Sequence, residues 1–356
     1  DTLFFNKILN LKKFFLFSLI CTSFVSFDII LQYITGFDLF GYQSFGDRNP
    51  GPFGNEWIAG SYLQKFSFLS IFGSYEIFKN KSFNKPLSIF IVTLHATAIL
   101  FAGNRMPFFL FLFGCILILL LVKNLRYTMS LGLLIFVAII FIEIKSDSRR
   151  FVDGSSKIIR THGVLIGESI KLVKYLLNKI TIENKKIEEK IESVENIKNK
   201  KIDLKYVLTT GHIAVYRSSI LIWKEKPLFG FGLKSFRYKC YYDLVGNNED
   251  PGKPNYIQCS THPHNYYLEL LCETGIIGIG LIVAFFFILL KDSFYYLKKN
   301  KLKINSEIYL IIPALITLFL EILPFRSSGS FFTNWNATFL WLIVPILISV
   351  KIKKSV

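Results

Sequence analysis

Hydrophobic positions in this chain come in blocks. Apolar runs of roughly 15 to 25 residues, about the length that crosses a hydrocarbon core near 30 Å thick, alternate with polar connections. They predict spans at about 14–34, 57–78, 87–103, 107–122, 128–144, 275–290, 308–323 and 337–350. The second carries Lys65 and Glu76, and removing it would invert everything before it. The expected fold class is therefore all-α: a polytopic membrane protein with about eight transmembrane helices and one large loop, 145–274, between the fifth and sixth. In that loop Val173, Leu176, Leu177, Ile180, Ile187, Ile191 and Val194 recur at helical spacing with Lys and Glu between them, which predicts an amphipathic helix. A solvated helix packed on the loop is the favoured reading. A helix on the membrane surface is the other, since 145–206 holds 15 basic and 9 acidic residues. A short helix around Gly211 to Trp223 must stop near Lys226, because Pro227 follows. Gly230 and Gly232 then allow a tight turn back toward the membrane, and a polar piece, Gly246 to Pro254, leads on to two histidines. With no internal repeat, the chain reads as one membrane domain, 1–356, carrying the insertion 145–274.

Composition agrees with the pattern. Of 356 residues 52% are hydrophobic and 37 are Phe, too oily for an ordinary soluble protein with 19% charged residues. The charges then orient the spans. The N-terminus, the connections at 79–85, 123–126 and 291–303, and the tail hold 16 basic residues, whereas the alternate connections at 36–56, 103–106 and 324–336 hold one Arg each. By the positive-inside rule both termini are cytoplasmic and 145–274 lies on the outer face, because long loops cross largely regardless of charge. The net charge of +17 is mostly this topology signal plus the insert, and nothing in it resembles a nucleic-acid module. No cleavable signal peptide is evident, and a first residue of Asp1 leads us to expect a sequence that starts inside a longer protein, with helices missing upstream. The five cysteines form no C-x-x-C. Cys240 and Cys259 share the outer loop, and both a disulfide and two free thiols are open.

Candidate chemistry concentrates in Thr261 to Gly278, THPHNYYLELLCETGIIG. Pro263 suits a first helical turn, with His264 and Asn265 beside it where backbone N–H groups are still unpaired, a position suited to anions. His264 is the first candidate, as an imidazole that can accept a proton near neutral pH; His262 is a weaker one. Cys259 with the His-x-His pair lacks an obvious fourth ligand and there is no HExxH, so no metal is expected. Arg105 lies in Gly103-Asn104-Arg105-Met106-Pro107, between two spans on the same outer side. A charge at the bilayer centre costs roughly 2.5–3.5 kcal/mol, so this Arg is at the interface or paired, and simple snorkelling explains it equally well. Arg217 stands on the short helix of the loop, where an ion-pair role is the plain alternative. Arg326, in Pro324-Phe325-Arg326-Ser327-Ser328-Gly329, reads more as a loop anchor than as a catalytic group.

His264-Asn265, nine residues, then Gly275-x-x-Gly278 resembles the pattern of the O-antigen ligase and O-antigen polymerase superfamily of bacterial envelope proteins. Arg105, Arg217 and the Pro227-x-x-Gly230-x-Gly232 turn are similar to further features of those families, so the resemblance runs from Arg105 to the tail. Two features depart: the Thr pair that follows the second glycine in some ligases is absent after Gly278, and the helices before Arg105 are few. The resemblance implies transfer of a glycan from an undecaprenyl-diphosphate donor to a glycan or lipid A-core acceptor, at the periplasmic face of the inner membrane and without a cofactor. It implies His264 as general base, Arg217 and Arg105 on the diphosphate, and Asn265, Tyr266, His262, Gly275, Gly278 and Arg326 in support. A ligase is slightly favoured over a polymerase by the His-Asn-x9-Gly-x-x-Gly spacing. A non-enzymatic transporter is the contrasting class, disfavoured because the polar groups gather on one outer face rather than near the midplane.

Overall fold

The computed structural model describes residues 10–46, 48–147, 212–244, 257–299 and 308–352. The amphipathic helix expected at 173–194 and the polar piece 246–254 lie outside them. The helices are α1 (Leu11–Thr35), α2 (Ala59–Ile77), α3 (Asn84–Phe101), α4 (Arg105–Leu121), α5 (Arg126–Asp147), α6 (His212–Glu225), α7 (Ser235–Tyr238), α8 (Tyr266–Lys299), α9 (Ile308–Glu321) and α10 (Asn334–Ile352). A π-helical turn, Lys239–Leu244, extends α7. Among the described residues there is no strand, only isolated bridges in the α1–α2 connection.

Each of the eight predicted spans falls in one of these helices. Four are long and apolar enough to cross a membrane: α1, α3, the Lys123–Glu143 stretch and α8. The apolar helices α4, α9 and the Asn334–Ser349 stretch of α10 are shorter, and α2 is diluted by Gln64, Lys65 and Glu76. The chain divides into two compact units, one holding α1–α5 and the other α6–α10.

In the first unit, α1 starts at Asn10, whose side chain accepts from the N–H groups of Lys12 and Lys13, and ends at Gly36 in the left-handed region. Helices in hydrocarbon gain nothing from burying oil against oil, so close packing and hydrogen bonds hold them together. Gly73 admits Phe15 and Gly132 admits Val92; a Cβ at either glycine would lie 2.8 Å from the intruding side chain. His95 of α3, fully buried, bridges Ser26 of α1 at 2.9 Å and Ser70 of α2 at 3.0 Å. Three helices are thereby fixed by one imidazole.

The second unit packs α6 on α8. Val215, Ile222, Phe236, Cys240, Ile257 and Cys272 form its core. Cys240 and Cys259 are bonded, with Cα atoms 5.6 Å apart, which settles the question left open by the sequence. The long helix α8 breaks at Gly275, where φ is 65° and ψ −171°, a conformation essentially reserved for glycine. The boundary read at 275 from hydropathy coincides with this break, and the nine residues before it are already helical. The 227–232 turn is stitched into the break. Ile276 and Ile277 donate to the carbonyls of Pro227 and Leu228, while Phe231 and Gly232 donate to Cys272 and Glu273. A Cβ at Gly275 would collide with the Leu228 carbonyl. Gly275→Ala should cost about 1–3 kcal/mol in backbone strain alone, before any collision. The check is the thermal midpoint of the detergent-solubilised protein, and an unchanged midpoint would mean the break is dispensable.

Candidate active site

The chain reaches His264 from a fixed point. Cys259 is held by its disulfide, and the carbonyl of Gln258 accepts from Ser218 of α6 at 2.9 Å. Five residues on, His264 adopts φ 58°, in the left-handed region that few residues other than glycine enter, although His is among those enriched there. Two bonds hold it. Its carbonyl accepts the Ser328 N–H at 2.9 Å, and its Nε2 lies 3.1 Å from Ser260 Oγ. The ring sits between two others, with centroids 4.2 Å from His262 and 4.7 Å from His212 of α6.

Electrostatics follow from this crowding. Burial, then the neighbouring His262 and His212, push His264 down to about 4. His262 is lowered too, by burial first and then by Arg237 and His212. At neutral pH His264 is thus an uncharged imidazole, a weaker base than an ordinary histidine until a nearby anion raises it. Among the described residues no group of His, Cys, Asp and Glu has the geometry to hold a metal ion.

Asn265 has a different task from the one its position in sequence implied. Pro263 precedes the helix rather than entering it, because α8 begins at Tyr266. Asn265 Oδ1 accepts from the N–H groups of Tyr267 (3.0 Å) and Leu268 (3.2 Å), so the first-turn donors expected to face an anion are taken by a helix cap. Its amide nitrogen donates to the Pro324 carbonyl at 2.7 Å, which ties the cap to the α9–α10 connection.

That connection is braced by a buried network. Tyr266 donates its hydroxyl to Glu321 Oε1 at 2.7 Å, and Arg326 donates to Glu321 Oε2 at 2.6 Å. Glu269 accepts from Ser330 Oγ at 2.5 Å and from the Phe331 N–H at 2.6 Å. Arg326, Tyr266 and Glu321 are all buried, so Arg326 and Tyr266 brace the loop whose Ser328 supports His264. Arg217 lies half-buried on the flank of α6, beside the buried Ser218. Gly275 is the break in α8, and Gly278 lies one turn further on, against Thr274. Arg105 belongs to the other unit, as the exposed first residue of α4; Asn104 before it donates to the Trp57 carbonyl at 3.3 Å.

Sequence reasoning placed His212 on its helix but missed its contact with His264, and it missed Glu321, Glu269 and Arg237. Each lies in an unremarkable local context, tens of residues or a full turn from its partner. Only Glu321, an acid closing an apolar helix, carried a signal.

The O-antigen ligase family model matches residues 89–283. This stretch is more than half of the chain; it includes Arg105, Arg217, His264, Gly275 and Gly278 and stops before Arg326. No curated protein matches the sequence.

Proposed function

Because the chain belongs to the O-antigen ligase family, we propose that it transfers a glycan from an undecaprenyl-diphosphate donor to a hydroxyl acceptor at the periplasmic face of the bacterial inner membrane. In this reading eight helices span the membrane and the acceptor is lipid A-core or another surface glycan. The observation that carries the proposal is His264: an uncharged imidazole, held in a left-handed turn at the entrance of a membrane-length helix. The disulfide supports periplasmic placement of the segment before it, since such bonds persist in oxidising compartments.

The acceptor hydroxyl attacks the anomeric carbon and His264 takes its proton. The bond from that carbon to the diphosphate oxygen breaks, and undecaprenyl diphosphate leaves with the electron pair. Arg217 holds the leaving group, its planar fork matching phosphate oxygens. An Arg–phosphate pair at about 4 Å is worth roughly 4 kcal/mol in an effective dielectric near 20, before desolvation. A guanidinium fork can therefore do the work of a metal, and transfer is expected to survive EDTA. Arg217→Lys should lower transfer about tenfold or more, the worth of one hydrogen bond to a charged group, because a point charge does not reproduce the fork. Full activity in that variant would reduce Arg217 to a structural role.

The test is transfer by the purified protein with a lipid-diphosphate glycan donor, EDTA and a lipid A-core acceptor. Glycan on the new acceptor supports the ligase, and longer lipid-linked glycan would make the chain a polymerase. Transfer that requires metal would overturn the arginine mechanism.

A further inference from the structure

The turn that braces α8 also presents an apolar tip whose side chains are exposed among the described residues. Leu228, Phe229 and Leu233 are exposed, Phe229 at 71%. Tyr238, Tyr241 and Tyr242 follow on the outer side of α7 and its π turn, Tyr242 at 79%. Lys226, Lys234 and Arg237, also exposed, are interleaved with them. Contiguous apolar surface of this kind on a folded protein marks a site of contact. Its chemistry, apolar tips with tyrosines and cations at their margin, is that of a segment at a membrane surface.

Its place in the fold selects that partner. Through Pro227 and Leu228 the turn is hydrogen-bonded to Ile276 and Ile277, which open the membrane-length part of α8. Those two isoleucines and Leu281 beyond them are themselves exposed, so the apolar surface of the turn continues that of the span. From this continuity we propose that Pro227–Tyr242 is a membrane-seated hairpin. Leu228, Phe229 and Leu233 enter the boundary between headgroups and acyl chains, on the order of 5–10 Å deep. Lys234 and Arg237 lie at the level of the lipid phosphates. The basic face at this level draws the segment to anionic lipid, and the rigid stitch to α8 fixes its depth.

A benzophenone amino acid placed at Phe229 tests this in the full chain, reconstituted in vesicles of phosphatidylethanolamine and phosphatidylglycerol. The same group at Leu281, inside the span, serves as the reference for lipid contact. On irradiation we expect lipid adducts at 229 in a yield of the same order as at 281. Lipid adducts at 281 with none at 229 would overturn the proposal, as would a protein adduct at 229 in their place, which would assign the tip to a second copy of the chain. Neither result depends on catalytic activity.

Discussion

Replacing His264 with alanine lowers glycan transfer by about 10² to 10⁴, the usual share of a general base, and leaves the protein folded. The fold should tolerate the change because the anchoring bond at this position is made by the backbone: the Ser328 N–H donates to the His264 carbonyl, not to its ring. Alanine at φ 58° costs something in the left-handed region. His264→Asn is therefore the companion variant, since Asn tolerates that conformation better and cannot act as the base. Equal turnover in wild type and both variants would remove His264 from the mechanism. The pH profile carries a second reading of the same residue. A histidine held down to about 4 stays uncharged well below the range of an ordinary imidazole, so in the absence of donor it should titrate near pH 4 rather than 6.5. The sign for stability is that of a lowered group. Its contribution is complete above about 6.5 and is lost as pH falls toward 4, because there the unfolded chain binds a proton that the folded one resists. A bound diphosphate, being anionic, raises the imidazole again. Activity with saturating donor should then fall at a higher pH than the free-protein titration, and coincidence of the two would argue against a diphosphate beside His264.

Glu321→Ala should destabilise the protein by about 3–5 kcal/mol, the typical cost of breaking a buried ion pair from one side. Glu321 is fully buried and accepts from both Arg326 and Tyr266. Its removal leaves a guanidinium without its carboxylate in a place where water cannot compensate. Thermal melting of the solubilised protein is the direct measurement. The double variant Glu321→Leu with Arg326→Met provides the contrast, because removing both charges together is often neutral or stabilising. If Glu321→Ala melts with wild type, the network does not brace the loop as described. Recovery of the melting point but not of transfer in the double variant would show that the pair positions the Ser328 side of the site.

The helices were legible because hydropathy reports a local property: whether each stretch of about 20 residues prefers hydrocarbon to water. All eight predicted segments are helical, even α2, where Lys65 sits buried in the interior. The site was only half legible. His264 and Gly275 stood out as a spaced pattern, but the pattern did not tell catalyst from scaffold, and Asn265, next to His264, is a helix cap. Long-range pairing was the blind spot. His212 precedes His262 by fifty positions in the sequence and reaches the cluster only because α6 packs on α8. Tyr266, Glu321 and Arg326 likewise find one another through the fold. The Gly230 turn and Gly275 were both visible, yet not that one closes on the other.

The stitch at Gly275 bears on how the protein is made. A break in a helix frees backbone N–H groups, and in hydrocarbon each one left bare costs several kcal/mol. Ile276 and Ile277 would carry such groups just past the break in α8 if Pro227 and Leu228 did not accept from them. The accepting turn is synthesised first, more than forty residues ahead of the break, and so can be waiting when the span arrives. Insertion of α8 and docking of the turn are then one step, and a chain whose turn is damaged should fail during biogenesis, as a poorly inserted protein cleared by proteases, rather than accumulate as an inactive enzyme.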